Sequence, residues 1–223
     1  MLAACMLAAA VSCDDMNSVN SKWYEMGEHI YTGIVDSVKL SPGYERVKLD
    51  WQIGADPRIT DEVICWNDAA DSLVIEVPSG HEIPLRMSQI IPDLPEDTYV
   101  FVFRTKDRDG HRSGPVEEAV SIFGDKYISS LRPRSAVSVI RLANGTARIY
   151  WTTVASTAMV RSIVSWTDGT GQSRTAEVAN SAMQTDIEDL PSGASIGISS
   201  VYLPEGSIDE LRTSENKIKI TGE

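Results

Sequence analysis

The chain has 223 residues, 42% of them hydrophobic, and 20 Lys+Arg against 32 Asp+Glu give a formal charge of -12. That length holds one large domain or two of about 100 residues. The charge repels phosphate backbones and anionic membrane surfaces, so nucleic acid is excluded as an expected partner.

Met1 to Ser12 is uncharged and mostly Ala, Leu, Met and Val. It is too short to cross a bilayer and matches the apolar region of a signal peptide, although no basic segment precedes it. Residues 1–12 are therefore read as a leader. Ala10 Val11 Ser12 Cys13 resembles a bacterial lipoprotein cleavage box, which makes Cys13 the lipidated N-terminus. Leu2 Ala3 Ala4 Cys5 fits the box locally but leaves almost no apolar stretch before it. Asp14 and Asp15 look like the acidic export signal of Bacteroidetes surface lipoproteins. The expected location is the outer membrane, lipid-anchored and facing the exterior. Acyl chains bury about 0.8 kcal/mol per methylene, enough for lasting attachment when several are present. With Cys5 and Cys13 in the leader, Cys65 stands alone in the folded body and no disulfide forms there.

Residues 13–28 are polar, lack alternation and read as a tether, interrupted by Trp23 and Tyr24. The first domain is expected over 29–126. Val35, Val38 and Leu40 open its strands, and Pro42 Gly43 marks a turn. Val47, Leu49 and Trp51 follow at period two with Arg46, Lys48 and Asp50 between them, a half-buried strand. Asp56 Pro57 Arg58 breaks the chain, Val63 to Trp66 and Leu73 to Val77 continue it, and Pro78 Ser79 Gly80 turns it. Leu94 Pro95 Glu96 Asp97 Thr98 Tyr99, then Phe101 and Phe103, resembles the tyrosine corner of fibronectin type III sandwiches. Lys106 to His111 reads as a hairpin turn and Val116 to Ile122 as the closing strand.

A linker over 127–134 leads to a second domain over 135–223. Trp51/Trp66 and Trp151/Trp166 stand at the same spacing, each matched residue lying 100 positions on. A repeat of that length is a duplicated domain. Each paired indole, burying about 150–250 Å2, contributes at most ~4–6 kcal/mol, which core packing alone explains. Val137 and Val139 open the second copy, Ile218 and Ile220 end it, and Asp189 Leu190 Pro191 repeats the corner with Ser195 in the place of Tyr99. Turn signals recur at sandwich spacing and no long amphipathic helix is evident. The expected fold is all-β, two tandem fibronectin type III/immunoglobulin-like sandwiches after a lipoprotein signal segment and short tether.

Tyr31 to Arg46, the strand ending at Trp51, Asp56 Pro57, Trp66 Asn67 Asp68 and the Tyr127, Leu131, Arg132 linker together resemble an uncharacterised Bacteroidetes lipoprotein family, a domain of unknown function. The resemblance implies an outer-membrane lipoprotein with sandwich domains, of a kind associated with glycan acquisition. It transfers no catalytic residues. Asp36 Ser37 Val38 and Asp71 Ser72 Leu73 resemble the short O-glycosylation motif of the same phylum.

The chain has no His-Glu-x-x-His and no phosphate-cradling glycine loop. His29, His81 and His111 sit in polar, turn-like contexts. Asp107-x-Asp109-Gly110 resembles the start of a calcium loop, but no bidentate Glu follows, so a solvated hairpin is the reading and no metal or cofactor is expected. Trp66 Asn67 Asp68 with Asp71 suits sugar binding, since an indole face stacks on a pyranose ring while amide and carboxylate bond its hydroxyls. Trp66 shares a face with Ile64, which favours the core, leaving Asn67, Asp68 and Asp71 as loop-mouth contacts. The expectation is a non-enzymatic surface lipoprotein that binds polysaccharide or a partner in an outer-membrane uptake complex. The alternative is a structural spacer without a ligand.

Overall fold

The structure is a computed structural model that describes residues 30–220. The residues read as a leader and a tether, Cys13, Trp23 and Tyr24 among them, and His29 lie outside the described residues. Seven strands build the first module: β1 (Val35–Gly43), β2 (Arg46–Ile53), β3 (Ile59–Trp66), β4 (Asp71–Glu76), β5 (Leu85–Ile91), β6 (Thr98–Asp107) and β7 (Val116–Ser121). A six-residue helix, α1 (Asp125–Ser130), begins the connection. The second module holds β8 (Ala136–Arg141), β9 (Ala147–Trp151), β10 (Met159–Thr167), β11 (Ser173–Ala179), β12 (Gln184–Ile187), β13 (Ser195–Tyr202), β14 (Leu211–Arg212) and β15 (Asn216–Lys219).

In the first module β1-β2-β5 faces β4-β3-β6-β7, and in the second β12-β9-β8 faces β11-β10-β13 with β14 and β15 both on β13. All strand pairs are antiparallel, and alternation sends every second residue inward. Val47, Leu49, Trp51 and Ile53 of β2 therefore meet Ile64, Phe101 and Phe103 of the facing sheet. Ile149, Trp151, Val164, Ile196 and Ile198 fill the second core. Trp51 and Trp151 are each 2% exposed, so both indoles pack as the repeat requires. Trp151 Nε1 donates to Thr185 Oγ1 at 2.9 Å. Arg134, itself 3% exposed, lies 5.2 Å above the Trp151 ring and donates to the carbonyls of Thr152, Ala179 and Ala182.

Three local expectations are revised. Pro42 and Gly43 continue β1, and the chain turns at Tyr44 and Glu45, where Glu45 takes a positive φ of 51°. Ser195 does not stand where Tyr99 does. Cross-strand partners align Gly197 with Val102, because each faces the same β-strand position, Ser165 or Cys65. Counting back, Ala194 replaces Tyr99, because the second corner is one residue shorter after its Leu-Pro. The linker contains α1, too short for a periodic signal. The last strand of the second module is split, with residues 213–215 between β14 and β15.

Candidate functional site

Residues 54–58, 77–84 and 107–112 leave the strands of the first module at one pole and enclose a cleft of about 1000 Å3. Its lining carries the charged groups of Asp56, Arg58, Asp61, Glu76, Lys106 and Asp107 and contains no Phe, Tyr or Trp. Asp56 accepts from the Arg58 guanidinium at 2.9 and 3.0 Å, from the Arg58 N–H at 3.1 Å and from the Gly33 N–H at 2.9 Å. Its ion pair with Arg58 holds the carboxyl down at about 2. Arg58 also donates to the Tyr31 carbonyl, and the Thr32 and Thr105 hydroxyls meet at 2.6 Å. The entering chain is thereby stitched to the loop pole.

Asp107 forms the hairpin that its neighbours announced. Its Oδ1 accepts the Asp109 and His111 N–H groups at 3.0 and 2.9 Å, and its Oδ2 lies 2.8 Å from His111 Nδ1. Burial pushes the carboxyl up, but the His111 bonds outweigh it and leave the group below the usual carboxylate range. Ligand atoms of Asp107, Asp109 and His111 lie within 4.8 Å of one another, while the oxygens of Asp107 are engaged by the hairpin itself.

The sugar-contact residues expected from sequence stand at the other pole. Trp66 is half-buried, packs against the core and lies 5.7 Å from the Phe101 ring. Asn67, Asp68 and Ala69 all take positive φ, between 52° and 64°, and form the β3–β4 turn. Asn67 Nδ2 donates to Asp71 Oδ2 at 2.5 Å. The structure thus brings Asn67 and Asp71 together, exposes Asp68 and turns the indole toward the core. In the second copy, Asp168 is buried and accepts from Thr170, Gln172 and Arg174.

Glu62 was passed over. It is fully buried on the inward face of β3, neither carboxylate oxygen has a hydrogen-bond partner, and desolvation pushes its pKa up to about 8. The signal was available, because Glu62 has the same strand parity as inward-facing Ile64.

Strand order and pairing, together with the Tyr99 hydroxyl donating to the Pro95 carbonyl at 3.1 Å, define a tandem pair of fibronectin type III-like sandwiches. The chain belongs to the DUF4998 family, a domain of unknown function, whose model matches residues 13–211. Among solved structures it is similar to the FN1-FN3 domains of chicken CNTN1, with 11% identity, 86% of this chain and 68% of that chain covered, and a TM-score of 0.35. A two-domain fibronectin type III segment of chicken tenascin is 16% identical, with 85% and 99% covered and a TM-score of 0.34. No curated protein matches the sequence.

Proposed function

We propose that the chain is a non-catalytic lipoprotein of the outer-membrane surface that binds glycan outside the cell, alone or beside an uptake complex. The observation that carries this reading is the first module's loop cleft of about 1000 Å3, lined by carboxylates and cations on loops held by a rigid sandwich. Such groups bond sugar hydroxyls, and loops on a sandwich are where ligands are met. Asn67, Asp68 and Asp71 offer a second polar contact at the opposite pole. A glycan array probed with the protein from Asp14 onward should retain at least one polysaccharide. Changing Cys13→Ala and fractionating cells tests the anchor, since membrane association should be lost.

One observation favours the spacer instead. Of the four tryptophans among the described residues, Trp51 and Trp151 are buried, Trp66 and Trp166 are half-buried against the cores, and none is a fully exposed aromatic platform. An array on which no polysaccharide is retained would decide for the spacer.

A further inference from the structure

We infer that the outer face of the second module carries a groove for a carboxylate-bearing saccharide, an inference that rests on the glycan-binding reading and names a ligand class for it. The groove, about 700 Å3, crosses β11, β10, β13 and β15. Its central row is Thr175, Ser165, Gly197 and Lys217, each paired with the next across the sheet. The same row of the first module reads Ser72, Cys65, Val102 and Glu117. Between the copies a Val has become Gly, a Cys has become Ser and an acid has become a cation. Small hydroxyl residues and a glycine hollow the face, and with Arg174 already paired to Asp168 at 2.8 Å, Arg212 and Lys217 put two cations against one carboxylate, Glu215, in a chain whose formal charge is -12.

The donor set already closes on a carboxylate. Glu215, in the break between β14 and β15, lays its side chain over Gly197, where an added Cβ would lie 2.7 Å from Glu215 Oε2 and 2.5 Å from Ser165 Oγ. Ser165 Oγ donates to Glu215 Oε1 at 2.8 Å, and Arg212 lies 3.7 Å from that oxygen. Arg212 is also held at 2.9 Å from Ser199 Oγ, which aims its planar fork. A sugar carboxylate entering the groove exchanges with that of Glu215, while the ring hydroxyls meet Ser and Thr side chains. An acidic peptide fits less well, because the sheet's backbone groups here are spent in its own ladder. The groove also lies at the β10–β11 turn end, opposite the pole where the linker enters at Ala136.

The test uses the full chain immobilised on a surface and three probes: oligogalacturonate, its methyl ester and polyaspartate. Oligogalacturonate should be retained, the neutral ester much less, and polyaspartate least. Arg212→Gln with Lys217→Gln, both exposed positions, should weaken oligogalacturonate about tenfold, and Glu215→Gln should strengthen it by removing the competing carboxylate. Equal retention of acid and ester, stronger retention of polyaspartate, or indifference to these substitutions overturns the groove. If neutral glycans are retained equally by wild type and variants, the general glycan reading stands while this inference falls. No retention of any saccharide removes both.

Discussion

Glu62 is a carboxylic acid placed where β3 calls for a hydrocarbon, and its titration is a direct test of the fold. Unfolded, it ionises near 4.5, whereas in the first core burial raises it to about 8. Below 4.5 both states hold the proton and pH has no effect through this group. Between the two values only the folded state keeps it, so stability falls as pH rises, by up to about 1.4 kcal/mol per pH unit, and the fall ends above 8. Asp56 acts oppositely, its stabilisation complete above 3.8 and lost as pH falls through about 2. Glu62→Met fills a similar volume without charge. Urea unfolding at pH 5, 7 and 9 should show a gain that grows with pH and reaches on the order of 3 kcal/mol at neutrality. A variant with the wild-type pH slope would sink the assignment. The residue's inward parity was legible in the sequence. Its lack of a partner was not, since that depends on Thr105, 43 positions away, lying opposite.

At the scale of elements, what was legible was local. The tyrosine corner was found because Leu94 to Tyr99 is a contiguous motif, and the hydroxyl bond to Pro95 spans only four residues. Its second copy was misaligned because a one-residue deletion leaves no trace until strand pairing shows which residues face each other. The linker helix was missed for a similar reason, because its stability comes from elsewhere. Gly124 supplies no side-chain cap, and the Glu96 carboxylate of the corner instead accepts the N–H groups of Lys126 and Tyr127 at 2.7 and 2.8 Å. A negative group at a helix start satisfies orphan donors and opposes the dipole. Gly124 has no room for a side chain beneath that cap, since a Cβ would lie 2.7 Å from Glu96 Cβ. Glu96→Ala should cost about 1 kcal/mol locally. Hydrogen exchange at Lys126 and Tyr127 should accelerate while Phe101 and Phe103 stay protected, and equal protection in both proteins would show that the cap does not hold α1.

The whole molecule is more than two modules on a string, because two attachments join them and a third ties the second module to the linker. The Tyr202 hydroxyl donates to the Arg132 carbonyl at 2.7 Å, the Ile208 N–H donates to the Pro42 carbonyl at 2.8 Å, and Asp209 Oδ2 accepts the Tyr44 N–H at 2.8 Å and Arg46 Nε at 2.9 Å. Burial opposes ionisation of Asp209, but the Arg46 hydrogen bond dominates and holds its carboxyl low. None of this was readable from sequence, since Tyr44 and Asp209 are 165 positions apart. The contact explains Gly43, where a Cβ would fall 2.3 Å from Asp209 Oδ2 and 2.9 Å from Ile208 Cγ1. Tandem domains move relative to each other unless their interface resists it, and here backbone bonds and an ion pair fix the approach of the 204–210 loop to the β1–β2 turn. Gly43→Val should therefore release the modules without unfolding either core, because the atoms nearest an added Cβ belong to the docked loop and the Arg46 stem. Small-angle scattering should show a larger radius of gyration and a broadened distance distribution, and Asp209→Ala should move both the same way by a smaller amount. Fluorescence of the buried Trp51 and Trp151 should stay as in wild type. Scattering curves that superimpose on the wild type for both variants would mean that the linker alone sets the angle.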